Sequence, residues 1–385
     1  MRYDFEIPLT FQHRVLFERD VFGGGNDVLG EALEDSSGRV GRVCVFIEDN
    51  LEPIFPNLES KVTQRLRGLS QFEECGVFHL PGGEICKLDE RVYQEACDTI
   101  ASAKIDRHSY VLAIGGGAFL DVIGFAAATV HRGVRLVRFP TTTLSQADSG
   151  VGVKSGINKY GKKNFMGAFA VPYAVINDFD FLHTQPADIR LDGLVEAVKV
   201  ALVKEEGFFD WIEENLSHLV ALEEGVLEQA VERSAVLHAR HIAEGGDPFE
   251  AGSSRPLDFG HWAAHKLEQI SDFTLSHARA VSVGLALDCL YSVKIGFLAE
   301  KEGERILNLL ERMGLPLWSE HFEKRLATGK REVFQGLEDF REHLGGQLTI
   351  LLLRKPGEGV EVNEMSEETL EHCIQELQGR ACSLA

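Results

Sequence analysis

The feature that most constrains the fold of this chain is a short apolar run that leads into three glycines and then into a helix. Residues 110–114 form the run, Gly115-Gly116-Gly117 follow, and residues 119–130 carry a helical pattern with Asp121 in its first turn. A tight turn would by itself account for the glycines, whose spacing is not the usual GxGxxG. In an α/β region the combination favours nucleotide binding, because free amides and the dipole at a helix N-terminus attract a pyrophosphate.

Apolar runs and helical patterns alternate on both sides of this stretch. Strands are predicted at residues 42–47, 75–80 and 136–139, and helices at 58–69 and 89–103. This β–α–β alternation predicts a doubly wound parallel sheet. The first of these strands ends in Glu48-Asp49-Asn50, and an acid at such a place can bind the ribose hydroxyls of a dinucleotide. Acids also end strands for solubility, so this signal is weak by itself.

From about residue 180 the pattern is helical. Helices are predicted near 208–216, 222–240, 261–270, 280–295, 302–313 and 367–377, and one late apolar run at 347–353 is a candidate short strand. The predicted architecture is a Rossmann-like α/β dinucleotide-binding domain at residues 1–180 and an all-α domain at residues 181–385.

The charge balance excludes several classes of partner. The 385 residues include 39 Lys and Arg against 60 Asp and Glu, a net charge of -21, which argues against nucleic acid or an anionic membrane as a partner. An anionic substrate would therefore need a local basic pocket. No run approaches the roughly 18 apolar residues of a membrane span, and residues 1–6 lack a signal-peptide core. Seven cysteines without framework spacing predict free thiols in a reducing cytoplasm.

Three histidines lie close together in the second half of the chain. His261 and His265 are four residues apart and share a helix face, and His277 follows after a polar stretch. Imidazoles are common metal ligands, although packed or exposed histidines are the ordinary alternative. Trp262 stands where a metalloprotease helix needs its glutamate base, which excludes that class. Any further ligand must come from elsewhere in the chain.

Two other polar groups need an explanation. Glu196 and Lys199 are three residues apart on an otherwise apolar helix, and a carboxylate there must be paired or metal-bound. A structural salt bridge would suffice. The stretch from Pro140 to Asn164 is rich in hydroxyls and ammonium groups without a helical or strand period. It reads as a loop, with the donors that phosphate binding requires.

In combination these motifs resemble the sugar phosphate cyclases, the family of 3-dehydroquinate synthase and of the cyclases that act on sedoheptulose 7-phosphate. The resemblance covers about residues 40–355. It rests on Gly115-Gly-Gly-x₃-Asp121, Pro140-Thr-Thr, Gln146-Ala-Asp148-Ser, Gly152-Val-Lys154-Ser-Gly, Gly161-Lys-Lys163-Asn164, Glu196-Ala-Val-Lys199 and Gly260-His261-x₃-His265, with His277 beyond.

The resemblance implies a role for each matching residue. It implies zinc or cobalt held by Glu196, His261 and His277, and places His265 at the substrate phosphate. Lys154, Asn164 and Arg132 match phosphate or substrate contacts, with the arginine supplied by the partner subunit of a homodimer. Asp148, Lys163 and Lys199 match residues around the substrate hydroxyls. The implied NAD contacts are Glu48, Asp49, Asn50, Glu84, Lys87, Gly115, Gly116, Gly117, Asp121, Thr141 and Thr142.

The chemistry implied by the resemblance accounts for this set of groups. A ring hydroxyl is oxidised transiently, phosphate is eliminated, the ketone is reduced, and an intramolecular aldol reaction closes a carbocycle. NAD is used and restored within one turnover, the metal acts as a Lewis acid, and lysines balance developing negative charge.

The sequence departs from the dehydroquinate branch at one wall of the substrate pocket. Asp258 replaces an asparagine, Ser254 stands in place of the arginine that clamps the substrate carboxylate, and Arg255 is one position away. An aspartate would repel a substrate carboxylate. His343 resembles a change seen in the sedoheptulose phosphate cyclases. We therefore expect sedoheptulose 7-phosphate as substrate and a valiolone-type C7 cyclitol as product.

Three alternatives remain at this point. The first is 3-dehydroquinate synthase itself, with Arg255 acting as the missing clamp. The second is a metal-dependent polyol dehydrogenase, which would not need the set formed by Lys154, Lys163 and Asn164. The third is a binding protein that has lost catalysis, which the intact metal and phosphate positions disfavour.

Overall fold

The structure, a computed structural model, describes residues 1–33, 41–247, 249, 256–343 and 346–384. The chain forms two compact units. The N-terminal unit comprises Met1–Thr141 and Gly152–Phe181, and the C-terminal unit comprises Thr142–Val151 and Leu182–Ala385.

The N-terminal unit is built on one parallel sheet. In chain order its described strands are β1 (Val15–Glu18), β2 (Gly41–Glu48), β3 (Phe72–Leu80), β4 (Tyr110–Gly115), β5 (Arg135–Pro140), β6 (Lys154–Lys159), β7 (Lys162–Phe169) and β8 (Ala174–Asp178). Six of these form the sheet in the order β1-β8-β5-β4-β2-β3 with every neighbouring pair parallel. The predicted Rossmann-like sheet is confirmed, and β1 and β8 are additional strands that the sequence analysis did not predict.

Strands β2, β4, β5 and β8 are buried on both faces, which is why they consist largely of apolar residues, whereas the edge strands β1 and β3 are only partly buried. Val43, Val45 and Ile47 of β2 point into one core, and Cys44 and Phe46 into the other. Helices cover the sheet at α1 (Val28–Ala32), α2 (Leu58–Arg67), α3 (Ile85–Leu88), α4 (Glu90–Ser102) and α5 (Gly117–Thr129). Helix α5, which follows the glycines, is almost entirely buried.

The stretch after residue 153 is a strand pair, and the prediction of a loop there was wrong. Strands β6 and β7 pair antiparallel, with Gly156 opposite Gly167. Their lysines, asparagine and glycines have low strand propensity, so the sequence carried no strand signal. The fully buried guanidinium of Arg138 fixes the pair by donating to the carbonyl oxygens of Gly152 and Lys154.

We expect Gly124→Ala to lower the free energy of unfolding by about 1–3 kcal/mol, the range for overpacking a core. A Cβ at Gly124 would lie 2.4 Å from Ser155 Oγ and 3.2 Å from Arg138 Nη2, which are bonded to each other. Gly379→Ala is the matched control, because a Cβ there meets nothing within 4 Å and alanine should stabilise helix α15 (Glu367–Leu384) by about 0.5–1 kcal/mol. Urea unfolding of both variants measures the two changes in unfolding free energy. Equal changes in the two variants would contradict the packing argument.

The C-terminal unit is mostly helical. Its further helices are α6 (Ala187–Asp192), α7 (Val195–Lys204), α8 (Glu206–Glu214), α9 (Leu216–Val220), α10 (Glu224–Glu244), α11 (His261–Ile270), α12 (His277–Lys294), α13 (Glu300–Arg312) and α14 (Gln335–His343). The prediction of an all-α domain needs one correction. Strands β9 (Ile350–Lys355) and β10 (Glu358–Val362) form an antiparallel hairpin, since the late apolar run pairs with the residues that follow it.

The predicted domain at residues 1–180 also differs from the observed N-terminal unit. Thr142–Val151 belongs to the C-terminal unit because its single π-helical turn, Ser145–Ser149, packs against α7 and α10. A sequence read for periodicity does not show such a crossing, because the segment is short and its contacts lie far along the chain.

All seven cysteines lie in the described part of the chain, and all are free thiols, as predicted. In that same part of the chain, no helix is both long and apolar enough to span a bilayer.

Candidate functional site

Three helix starts in the C-terminal unit bring Glu196, His261 and His277 together. Glu196 lies in the first turn of α7, and His261 and His277 are the first residues of α11 and α12. One ligand atom from each of the three lies within 4.8 Å of the others. Glu196 is fully buried, and His261 is nearly so.

The spacing of these atoms fits one tetrahedral metal ion. Glu196 Oε1 lies 3.8 Å from His261 Nε2 and 3.5 Å from His277 Nε2. Two donors, each about 2.05 Å from a tetrahedral zinc, are separated by roughly 3.3 Å. Glu196 Oε1 is buried and receives no hydrogen bond within the described chain. An oxygen in that state is costly unless a cation meets it, so the three residues fit a divalent metal.

The hydrogen bonds of the two imidazoles leave Nε2 for the metal. His261 Nδ1 lies 3.0 Å from the carbonyl oxygen of Phe259, and His277 Nδ1 lies 3.0 Å from Glu268 Oε2. Both acceptors require a proton on Nδ1, so in the neutral form of each ring, the form that binds a metal, Nε2 is the unprotonated nitrogen. A carboxylate behind a ligating histidine is a frequent arrangement in metal sites. Sequence reasoning missed Glu268, whose only signal was a carboxylate on an apolar helix.

A buried charge network lies beside the three candidate ligands. Lys199 Nζ is 2.5 Å from Glu196 Oε2 and 3.5 Å from Asp148 Oδ2, and only 2% of its side chain is exposed. Burial opposes ionisation, but Lys199 outweighs it and holds the pKa of Glu196 at about 2; the same lysine lowers the pKa of Asp148. Burial and Lys199 lower the pKa of His261, so its ring is neutral at pH 7.

His238 is a further member of this network that sequence reasoning missed. It lies on α10, and its Nδ1 is 2.7 Å from Asp148 Oδ1. His241 lies three residues later on the same helix, but no pattern in the sequence links either histidine to Asp148. The contact exists because the segment that carries Asp148 packs on α10.

His265 stands beside the three candidate ligands without forming part of that set. Its ring centroid lies 5.3 Å from that of His261 and 5.9 Å from that of His277. His265, Glu268 and His277 make a second group within metal-binding distance. That grouping conflicts with the proton that His277 Nδ1 needs to reach Glu268, so Glu196, His261 and His277 are the better set.

The substrate wall predicted from the sequence is described only in part. Asp258 ends a 3₁₀ turn, Pro256–Asp258. Burial lowers the pKa of Lys199, and the charges of Asp148, Glu196 and Asp258 outweigh it and raise that pKa. Asp258 also opposes the lowering of the pKa of His261 by burial and Lys199, without reversing it. Arg255 and Ser254 lie outside the described residues. His343 ends α14, and its side chain also lies outside what is described.

In the N-terminal unit, Glu48 does not point outward as a ribose ligand would. Its carboxylate is buried and accepts hydrogen bonds from the amides of Gly83 (3.1 Å) and Gly116 (2.7 Å). A Cβ at Gly82 would lie 1.9 Å from this carboxylate. Glu48 therefore joins the two glycine turns, and Asp49 and Asn50 are the exposed members of the predicted acidic turn.

The glycine turn itself has the predicted form. Gly115 ends β4, and α5 begins at Gly117, two residues earlier than predicted. Thr141 is buried, and its amide donates to the carbonyl oxygen of Gly115. In the C-terminal unit, the hydroxyl of Thr142 bonds to that of Ser145.

A second network in the N-terminal unit links several predicted NAD and phosphate contacts. Asn158 donates to Glu84 Oε1 at 3.1 Å and accepts from the amide of Asn164 at 2.8 Å. Lys163 Nζ lies 4.0 Å from the same Glu84 oxygen. Asn158 is a buried positioning residue that sequence reasoning missed, because an asparagine inside a polar stretch gives no distinguishing pattern.

Of four further predicted residues of this unit, two form an ion pair and two are exposed. Lys87 is buried and bonds to Asp121 Oδ2 at 2.7 Å, so each neutralises the other. Lys154 begins β6 with its side chain exposed. Arg132 is also exposed and has a left-handed backbone (φ 63°) just before Gly133, at the end of the turn that follows α5.

Comparisons with known proteins identify the family of the chain. The 3-dehydroquinate synthase N-terminal family matches residues 77–191, and the 3-dehydroquinate synthase C-terminal family matches residues 193–332. A 3-dehydroquinate synthase of Pseudomonas fluorescens is 34% identical over 338 residues, which is 86% of this chain and 86% of the relative. One of Azotobacter vinelandii is 35% identical over 337 residues, with the same coverage of both chains.

Among solved structures, 2-epi-5-epi-valiolone synthase of Streptomyces hygroscopicus, determined with NAD+ and Zn2+ bound, superposes with a TM-score of 0.87. It is 25% identical and covers 98% of this chain and 100% of its own. A 2-deoxy-scyllo-inosose synthase shares the fold at a TM-score of 0.77 and 20% identity, over 94% of this chain and 96% of its own. The chain belongs to the 3-dehydroquinate synthase family of sugar phosphate cyclases.

Proposed function

We propose that this enzyme is an NAD- and zinc-dependent cyclase that converts sedoheptulose 7-phosphate into a valiolone-type C7 cyclitol and releases phosphate. The observation that carries this choice is Asp258, which lies three residues before His261 and whose negative charge acts on Lys199 and on His261. An anionic wall disfavours a substrate carboxylate and accepts hydrogen bonds from hydroxyl groups. The valiolone synthase with the same fold supports the choice.

The candidate site supplies the groups such a reaction needs. Glu196, His261 and His277 would hold the metal, with the ring nitrogens already set for it. In this scheme the metal supplies a Lewis acid and NAD a reversible hydride acceptor. Lys199 is a fixed positive charge that balances negative charge developing on the substrate. Phosphate leaves, a carbocycle forms, and substrate and cofactor undergo no net redox change.

The residues assigned to the other ligands divide by unit. In the N-terminal unit we assign Asp49, Asn50, Glu84 and the glycine turn to NAD, with Lys87, Asp121 and Thr141 around them and Glu48 holding the turn. Thr142 of the C-terminal unit belongs to the same assignment. The substrate would use Lys154, Lys163 and Asn164 from the N-terminal unit and Asp148, Lys199, Asp258 and His265 from the C-terminal unit. Arg255 and His343 keep their proposed substrate roles.

The second candidate is 3-dehydroquinate synthase, which the names of the relatives at 34% and 35% identity favour. It would act on the heptulosonate phosphate, whose carboxylate needs a cationic clamp. A metal-dependent polyol dehydrogenase is a weaker candidate, because a simple alcohol substrate would make no use of phosphate contacts.

We expect phosphate release from sedoheptulose 7-phosphate to exceed release from the heptulosonate phosphate by about 10⁴-fold in kcat/KM, since a site with buried polar groups strongly rejects a mismatched analogue. Purified enzyme incubated with each sugar, with released phosphate and absorbance of NADH recorded together, measures this. NADH should not accumulate; accumulation in step with product would identify a dehydrogenase. Asp258→Asn should weaken the first activity. Efficient conversion of the heptulosonate phosphate by the wild type would make the enzyme a dehydroquinate synthase.

We also propose a homodimer in which each substrate site uses Arg132 of the partner subunit. The exposed arginine at a left-handed turn after α5 motivates this. Arg132→Ala and His261→Ala subunits should each be inactive alone. Randomly mixed, they should recover about a quarter of wild-type activity, because half of the dimers are mixed and each has one complete site. No recovery in mixed dimers, shown to form by mass spectrometry, would contradict the sharing of Arg132.

A further inference from the structure

Trp262 and Asp288 form a buried pair that neither the metal nor the substrate assignment explains. Trp262 is 2% exposed and Asp288 is 0% exposed. The indole Nε1–H donates to Asp288 Oδ1 at 2.9 Å, and the amide of Gly260 donates to Asp288 Oδ2 at 3.1 Å. These two donors come from the residues immediately before and after His261.

A buried carboxylate held by two neutral donors is a poor source of net stability. Asp288 faces two neutral donors, and burial raises its pKa to about 7 even though both hydrogen bonds favour the charged form. A carboxylate in such a place is retained more easily for the geometry it imposes than for net stabilisation. An apolar pair of similar volume would fill the same space.

The geometry around Gly260 shows what Asp288 fixes. Gly260 has a left-handed backbone (φ 76°) and packs on α12 so closely that a Cβ at Gly284 would lie 2.0 Å from its carbonyl oxygen. The preceding carbonyl, of Phe259, accepts the Nδ1–H of His261. The orientation of that carbonyl depends on the peptide whose N–H Asp288 holds. By holding this peptide, Asp288 keeps the Phe259 carbonyl directed at His261 Nδ1 and leaves Nε2 for the metal.

We propose that Asp288, through Gly260 and Trp262, is the positioning residue that orients His261 as a metal ligand. Asp288 lies eleven residues after His277 on α12, about 16 Å along the helix axis. It therefore acts on His261 from a part of α12 that is remote from the ligand on the same helix. Helix α12 thus supplies one ligand, His277, at its first turn and fixes a second ligand from its middle. The inference rests on the metal site of the proposed function and is independent of the sugar substrate.

The test is the metal affinity of the full-length protein, measured with zinc against a chromophoric chelator. Asp288→Ala should weaken zinc binding about 10–100-fold, the usual loss for a group behind a ligand. Trp262→Phe and Asp288→Asn, which each keep one of the two hydrogen bonds, should give smaller losses. The cobalt-substituted protein should show an altered visible absorption spectrum in Asp288→Ala, which a loss of stability alone would not produce.

Ser292→Ala is the matched control on the same helix. Its buried hydroxyl donates to the carbonyl oxygen of Asp288 and accepts from the amide of Leu353, without reaching residue 260 or 262. It should lower stability while leaving zinc affinity unchanged.

Two outcomes would overturn the inference: zinc affinity of Asp288→Ala within twofold of wild type, or an equal loss in Ser292→Ala. If Asp288→Ala does not fold, zinc affinity equal to that of the wild type in both Trp262→Phe and Asp288→Asn would also overturn the inference. A wild-type protein that fails to bind zinc would instead refute the metal site itself.

Discussion

Replacing His261 with alanine is expected to lower phosphate release by about 10³-fold or more, because in the proposed function this ligand holds the metal that would stabilise charge on the reacting oxygen. The three candidate ligand atoms converge within 4.8 Å, and His261 contributes one of the two nitrogens. The fold should survive, since a single buried side chain typically contributes about 1–3 kcal/mol. Steady-state phosphate release, zinc content and circular dichroism of the purified variant measure the three effects.

The control for this variant is His218→Ala, an exposed histidine paired with Glu223 on the surface of the same unit. It should keep full activity and full zinc content. Chelation should inactivate wild type to the level of His261→Ala and leave that variant unchanged. Near-normal activity of His261→Ala after chelation would show that the metal assignment is wrong.

Replacing Lys199 with methionine is expected to lower the free energy of unfolding of the metal-free protein by about 3–5 kcal/mol, the usual effect of breaking a buried ion pair. The ammonium group lies between Glu196 and Asp148, and its removal leaves two buried carboxylates without their shared cation. Activity should also fall below detection, because in the proposed function the same charge balances negative charge on the substrate. Urea unfolding in the presence of a chelator measures the stability, since bound metal would stabilise the folded state.

Lys204→Met is the matched control, a lysine five residues later on α7 that contacts His241 and is only partly buried. This variant should lose less than about 1 kcal/mol of unfolding free energy. The double variant Lys199→Met/Glu196→Gln should regain part of the stability lost in Lys199→Met, because one of the two uncompensated charges is gone. A double variant less stable than Lys199→Met would contradict the electrostatic explanation.

Elements whose residues are neighbours along the chain could be predicted from the sequence alone. The run into Gly115 and the following helix predicted a strand, a turn and a buried helix, and β4 and α5 have that form. The spacing of His261 and His265 predicted one helix face, and α11 begins and ends at the predicted residues. Local periodicity is sufficient there, because strand and helix geometry fix which side chains share a face.

The directions and partners of the polar side chains became known from the packing of the folded chain. Glu48 reads as a ribose ligand in the sequence, yet packing turns it inward to the amides of Gly83 and Gly116. The link from His238 to Asp148 and the link from Asp288 to residues 260 and 262 join positions far apart in the chain. A buried polar group must find its partner wherever the packed chain provides one. The hydrophobic periodicity of a sequence does not predict such partners, because they depend on which helices pack together and in what register.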